Sequence, residues 1–169
     1  RDQDRHHVKG WHPTAVFGVL AVTGAVAALR GLDVQRSQNA MGIAASMASG
    51  IIANFGSMTK PFHAGQAAAN GIDAVDLAEA GMTASPDALE HHAGLLAAIS
   101  PHGRVDRSPC QVPLGRELRI VTMGLTIKKY PMCFATHRIL DGVLDLVHRH
   151  DLSDKNVRAI HATIGATQA

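Results

Sequence analysis

Three short strings concentrate the residues that could carry out acid–base or anion-binding chemistry: residues 10–14 (GWHPT), 56–65 (GSMTKPFHAG) and 128–133 (KKYPMC). In the first two, a basic residue stands directly before a proline, His12 before Pro13 and Lys60 before Pro61. Proline favours the first position of a helix, where unpaired N–H groups and the positive end of the helix dipole attract anions. Either string alone is ordinarily just a helix boundary. Together they predict a site for a ligand with several carboxylates.

Metal and nucleotide sites are poorly supported by the same residues. The chain has eleven histidines, but none is in an HExxH arrangement or beside a patterned cysteine pair, so most are expected to be solvated. Lys128 and Lys129 are by default a solvated pair beside a strand. The sequence has no GxSxG elbow, no phosphate-binding GxxxxGK[ST] loop and no GxGxxG fingerprint. Nucleotide and covalent-serine chemistry therefore have no support.

The composition predicts a globular, mainly helical protein. Of 169 residues, 46% are hydrophobic and only 4% aromatic, which favours close-packed helices with small side chains. A net charge of +2 without a Lys/Arg run argues against a nucleic-acid partner. Cys110 and Cys133 form no disulfide framework, so a reduced compartment is expected. The apolar stretch 15–29 is shorter than the roughly 20 residues of a membrane span, and we predict a buried helix and no membrane contact.

The elements that must position the three strings are predicted to be helices first and mixed structure later. One helix covers 13–30 and ends at Gly31, a second opens at Asp33 or Ser37, and a third runs from Pro61 to about Ala80. The stretch 101–113 resembles a linker. Beyond it, 118–122 and 157–164 have strand character, and 134–150 is an amphipathic helix with one buried side. The predicted organisation is a helical part at 1–100, a linker at 101–116 and an α+β part at 117–169.

The three strings, in this order and spacing, resemble the MmgE/PrpD family, which includes 2-methylcitrate dehydratase, cis-aconitate decarboxylase and iminodisuccinate epimerase. The match covers residues 10 to about 145, and 50–68 (GIIANFGSMTKPFHAGQAA) is its most diagnostic part. The resemblance implies a large all-helical domain followed by a smaller α+β lid domain, with the active site in the cleft between them. It also implies a homodimer that uses neither a metal nor an organic cofactor.

The same resemblance assigns site residues. His12 matches the active-site histidine of the H-P string and Lys60 the lysine of T-K-P. Lys128 matches the lysine three residues before the proline in K-x-Y-P, and on that spacing it is preferred to Lys129. Thr59 and His63 flank Lys60 and are expected to contact the substrate.

The function expected from these residues is that of a lyase acting on a small di- or tricarboxylate, with dehydration of a 2-methylcitrate-like substrate placed first. Decarboxylation of a cis-aconitate-like substrate and epimerisation of an amino- or imino-dicarboxylate are the alternatives within the family. His12, at a helix N-terminus, is expected to be neutral near pH 7 and able to act as a base. The expected location is the cytoplasm, or the mitochondrial matrix of a eukaryote.

A third alternative is an inactive fragment. The resemblance places an aspartate and a further histidine of the site before the H-P string, where this chain has only ten residues ahead of Trp11. We therefore expect the site to be completed by N-terminal and C-terminal segments of the same protein.

Overall fold

The computed structural model describes residues 7, 9–100, 105, 115 and 117–165. The chain divides into two compact units, Arg1–Pro109 and Cys110–Ala169, which are described separately. Most of the predicted linker 101–116, including Cys110, lies outside the described residues. The predicted boundaries at 100 and 117 therefore stay predictions.

The first unit is helical, as predicted for this part of the chain. Its helices are α1 (Pro13–Arg30), α2 (Val34–Met47), α3 (Thr59–Glu79) and the short α4 (Leu95–Ile99), with a 3₁₀ turn at Ile52–Asn54. The predicted start and end of α1 are confirmed: Pro13 occupies the first turn, and Gly31 ends the helix in the left-handed conformation. The prediction of Asp33 as the start of α2 is also confirmed, because its side chain accepts a hydrogen bond from the Arg36 N–H.

Helix α3 begins two residues earlier than predicted, at Thr59 instead of Pro61. The reason is Ser57, whose hydroxyl accepts the Thr59 N–H at 3.3 Å and whose carbonyl accepts the Lys60 N–H at 3.2 Å. These two bonds turn the chain into helical geometry before the proline is reached. Lys60 and Pro61 consequently lie inside the first turn, which fixes the direction of the Lys60 side chain relative to the helix.

The core lies between α1, α2 and α3, and α1 packs most extensively along α3. Its buried side chains are small: Val19, Ala27, Ala40, Ile43, Ala44, Ala67, Ala74, Val75 and Ala78. The close approach of α1 and α3 depends on Gly71, because a Cβ there would lie 2.7 Å from Cβ of Val22. The buried Thr23 hydroxyl lies in the same contact and donates a hydrogen bond to the Val19 carbonyl at 2.8 Å. Small residues thus bring the two helices close enough for their N-terminal ends to share a site.

Among the described residues of this unit, only one side of α1 is covered. Val16, Val19, Thr23 and Ala27 are buried at helical spacing, whereas Leu29 on the other side is 86% exposed. Among the described residues, α1 is the one helix whose length and composition would allow it to cross a membrane, a test that core helices of soluble proteins also pass. The predicted burial of this helix is therefore confirmed for one face only.

The second unit corrects two predictions. Leu118–Thr122 was expected to be a strand, but Arg119–Thr122 forms one turn of helix, α5, and no strand is found among the described residues of either unit. Residues 157–164 are irregular as well. Both segments are rich in β-branched residues, but a strand is stabilised by its hydrogen-bonded neighbour, and the described part of the chain supplies none. The α+β lid domain is thus not seen in this unit.

The predicted helix 134–150 is confirmed as α6 (Phe134–His150). Its expected buried side, formed by Ile139, Leu140, Val143, Leu144, Leu146 and Val147, is buried only in part. Leu144 and Leu146 are 42% and 50% exposed, and the other four residues are half-buried. Only His137 is buried on this helix. The amphipathic pattern indicates a face that can be buried, but no described element packs on it.

Candidate active site

His12 is positioned by a short antiparallel pairing between the start of α1 and the loop before α3. The His12 N–H donates to the Gly50 carbonyl at 3.1 Å, and the Ile52 N–H donates to the Gly10 carbonyl at 2.8 Å. Because His12 is the N-cap residue of α1, its backbone is extended while its carbonyl already accepts from the first turn. Its side chain makes no capping bond and is therefore available for the site.

The His12 side chain meets His63 of α3. Their Nδ1 atoms are 3.0 Å apart, and the residues are only 6% and 7% exposed. A hydrogen bond between two imidazole Nδ1 atoms requires one to donate and the other to accept. If both rings carried a proton at Nδ1, two N–H groups would point at each other at this distance and repel. The pair therefore holds at most one positive charge in this geometry, and the remaining ring nitrogens are the two Nε2 atoms.

Gly50 allows the loop before α3 to pass close to the start of α1. It has a φ of 104°, and a Cβ at this position would lie 2.5 Å from Cβ of Ala15 and 3.4 Å from Cγ of His63. Any side chain here would be strained in backbone conformation and would also clash with α1. A glycine is thus required where the loop passes between the starts of α1 and α3.

Phe55 links His12 to Lys60. The Phe55 ring lies edge-on to His12, with centroids 4.8 Å apart and planes at 82°. The Lys60 ammonium lies 4.1 Å from the centroid of the same ring, which is a cation–π contact. One aromatic side chain therefore holds both predicted site residues from the loop before α3.

The ammonium group of Lys60 supplies the permanent positive charge of this cluster, and the histidine pair can add at most one more. Burial lowers the pKa of His12, and the neighbouring His63, Lys60 and His7 lower it further. The sequence predicted a neutral His12 from the helix dipole, but burial is the largest cause found here. Within the described part of the chain, no carboxylate forms an ion pair with His12, His63 or Lys60. The cluster therefore favours an anionic ligand.

A cavity of about 260 Å³ opens beside His63. Its lining is partly polar: Ser49, Asn54, Thr59, His63, Gln66 and Asn70. The Gln66 amide donates to Asn70, whose own amide donates to the Met47 carbonyl at 3.3 Å. Two of the predicted substrate contacts, Thr59 and His63, thus line one cavity of a size suited to a small organic acid.

The free helix N-terminus expected at Lys60 is not available for an anion in this arrangement. The N–H groups of Thr59 and Lys60 are bonded to Ser57, Pro61 has none, and Phe62 donates to the Met58 carbonyl. The interpretation of this string as a set of free backbone donors is therefore wrong. Attraction for a carboxylate here must come from the Lys60 ammonium and the histidine pair.

Lys128 lies in the second unit, where it is exposed. Lys129 beside it donates to Asp141 at 2.7 Å, and the Tyr130 hydroxyl donates to the same carboxylate at 2.7 Å. These bonds raise the pKa of Lys129 and lower that of Asp141. No hydrogen bond or ion pair of the Lys128 side chain is found among the described residues. Of the two lysines, Lys128 is therefore the one whose ammonium has no partner in the part of the chain that the structure describes.

Three residues of the site were not predicted from the sequence. Phe55 lies within the string 50–68 but was given no role, although it is one of only four phenylalanines in the chain. Gly50 and Asn70 carried no signal that distinguishes them from other glycines and asparagines. A lone aromatic residue in a glycine-rich loop before a lysine was the one available indication.

Metal binding receives no geometric support in this region. Within the described residues, no group of three or more His, Cys, Asp or Glu side chains is arranged to hold an ion. The histidine pair lacks the third ligand that a structural or catalytic zinc site requires.

The first unit is helical, as the resemblance implied, and it brings His12, Lys60 and His63 together at the starts of α1 and α3. The sequence profile of the MmgE/PrpD N-terminal domain matches residues 2–108. The chain therefore belongs to the MmgE/PrpD family.

The characterised relatives it matches are cis-aconitate decarboxylases. The human enzyme is 29% identical over 149 residues, covering 87% of this chain and 30% of the relative. The mouse enzyme is 31% identical over 136 residues, covering 79% and 27%. An Aspergillus terreus enzyme is 30% identical over 166 residues, covering 92% and 34%. The chain spans about a third or less of the length of these relatives.

Proposed function

We propose that residues 10–65 form one wall of a lyase active site that holds a small di- or tricarboxylate. In this site Lys60 binds a substrate carboxylate, and His12 exchanges a proton with the reacting carbon. The observation that carries the proposal is the buried His12–His63 pair beside an unneutralised lysine. Cations that lack carboxylate partners favour a substrate that brings its own negative charges.

The reaction we propose first is decarboxylation of a cis-aconitate-like substrate, which the names of the relatives favour. The C–C bond to one carboxylate breaks, carbon dioxide leaves, and the electron pair stays on the substrate carbon. A proton from His12 then forms the new C–H bond, and water reloads the histidine. Lysine ammonium groups stabilise the enediolate character that develops on a neighbouring carboxylate.

Dehydration of a 2-methylcitrate-like substrate, the first expectation from the sequence, stays a prediction. It uses the same side chains in a different order, because His12 must first accept a proton next to a carboxylate and hydroxide then leaves as water. The two reactions differ in pH dependence. A proton-donating His12 makes kcat/KM rise as pH falls through its lowered pKa, whereas a proton-accepting His12 makes it fall.

The remaining members of the site are also proposals. Lys128 is proposed as the second carboxylate anchor, and Thr59 is proposed to contact the substrate from the cavity wall. The homodimer and the contribution of further segments of the same protein are carried over from the family resemblance. Chemistry without metal or organic cofactor is proposed on the same basis.

A substrate panel followed by proton NMR tests the proposal. The full-length protein is incubated separately with cis-aconitate, 2-methylcitrate and iminodisuccinate, and products are identified from their new C–H signals. We expect carbon dioxide release from cis-aconitate, and loss of that activity in His12→Asn. The matched control is His148→Asn, which alters an exposed histidine of α6. Absence of turnover for every member of the panel would reject the lyase function.

A further inference from the structure

We propose that His63 is a positioning residue for His12: its Nδ1 accepts the Nδ1 proton of His12, so that Nε2 of His12 is the atom that exchanges protons with the substrate. This inference rests on the proposed function for its kinetic consequences. Its geometric basis is the 3.0 Å contact between two buried imidazoles on different helices.

The assignment of donor and acceptor follows from the proton count. If His12 donates from Nδ1, its Nε2 can be protonated or free without disturbing the bond to His63. The bond therefore survives both the loading of His12 and its donation to the substrate. If His63 donated instead, protonated His12 would place an N–H against an N–H at this distance, and the pair would separate during each turnover. The first arrangement keeps the ring of His12 fixed throughout.

The surroundings hold the pair in place from three sides. Phe55 contacts the His12 ring edge-on, Gly50 lies beside the His63 ring, and the His12 N–H donates to the Gly50 carbonyl. The charged and titratable groups that influence His12 are His63 and Lys60 of α3 and His7 of the preceding segment. Lys60 and His7 therefore disfavour a second positive charge on the pair. With Nδ1 of His12 as the donor, His63 accepts at its own Nδ1 and carries its proton at Nε2.

This role differs from the substrate contact predicted for His63 from its position beside Lys60. A substrate-binding group affects KM, whereas a residue that orients the proton donor affects kcat. Two substitutions separate the roles. His63→Leu removes the acceptor while retaining bulk, and His63→Asn replaces Nδ1 with an amide oxygen at nearly the same place but cannot titrate.

We expect His63→Leu to lower kcat about 10- to 100-fold, the range for a lost hydrogen bond to a charged group, with KM changed less than about threefold. His63→Asn should recover kcat to within about threefold of the unsubstituted protein. A raised KM with normal kcat, or a folded His63→Asn variant as slow as His63→Leu, would overturn the proposal.

A second measurement does not depend on activity. Nitrogen-15 NMR of the histidine-labelled full-length protein distinguishes the two neutral tautomers, and signals are assigned by the His12→Asn and His63→Asn variants. We expect His12 to be protonated at Nδ1 and His63 at Nε2. His12 protonated at Nε2 with His63 protonated at Nδ1 would overturn the proposal. Because this measurement needs no turnover, failure of the pairing can be distinguished from failure of the lyase function.

Discussion

Replacement of Lys60 by alanine is the perturbation whose effect is best defined by the structure. Its ammonium is held only by the face of Phe55 at 4.1 Å among the described residues, so the side chain is not part of an ion pair needed for folding. The cation–π contact contributes about 0.5–1 kcal/mol at a partly exposed site, and the variant should remain folded with a stability loss of that order. A charge-assisted hydrogen bond to a carboxylate in the transition state contributes roughly 2–4 kcal/mol, equivalent to about two to three decades of rate.

The assay is steady-state decarboxylation by the full-length protein, with circular dichroism and thermal unfolding recorded on the same samples. The matched control is Lys155→Ala, since Lys155 is an exposed lysine of the second unit. It should leave both rate and stability unchanged. Lys60→Ala should also raise the pKa of His12, because Lys60 is one of the groups that lower it. Near-normal turnover by a folded Lys60→Ala variant would refute the assignment of Lys60 as a carboxylate anchor.

Three further predictions follow from the same site. Since the pKa of His12 lies below its ordinary value of 6.5, the unfolded chain binds more protons, so stability should fall as pH drops from about 6.5 through the lowered pKa and level off below it. Urea unfolding of the unsubstituted protein and of His12→Asn between pH 7.5 and pH 4 checks this. A difference in unfolding free energy between the two proteins that does not change with pH would contradict it. Exhaustive EDTA treatment should leave the rate unchanged, and a loss restored by one added divalent ion would disprove cofactor-free chemistry. Gly50→Ala should lower the free energy of unfolding by about 2–4 kcal/mol through backbone strain and overpacking. Gly56 has a φ of 85° and open space around it, so Gly56→Ala should lower the free energy of unfolding by only about 1 kcal/mol. Equal losses of stability in the two variants would argue against the close approach at Gly50.

The helices of the first unit were predictable because their signals are local. Pro13 and Gly31 delimit α1 by backbone restriction alone, and Asp33 supplies a capping oxygen for α2. The start of α3 was misplaced because Ser57 turns the chain through two hydrogen bonds of its own, which a proline signal does not reveal. Local chemistry therefore determines where a helix is possible, and neighbouring side chains determine where it begins.

The second unit shows the limit of propensity. Residues 118–122 have the β-branched content of a strand, but β propensity expresses the packing of a side chain on a sheet more than a preference of the backbone. Without a neighbouring strand in the described region, the segment forms a helical turn instead. The same reasoning applies to α6, whose apolar face was identified correctly and whose burial depends on an element that the sequence pattern cannot specify.

The candidate site was only partly predictable, because its members meet through tertiary contacts. His12 and Lys60 were identified from two separate strings, but nothing in either string indicates that His63 contacts His12 through Nδ1. That contact exists because α1 packs along α3 with small residues, and because Gly50 lets the intervening loop pass between them. The lowered pKa of His12 has the same origin, since burial by this packing outweighs the individual charges. The acid–base property of the site is therefore a consequence of how closely two helices pack. For this reason a substitution at Gly50, which offers no chemistry of its own, is expected to disturb the proton chemistry of His12 as well as the stability of the fold.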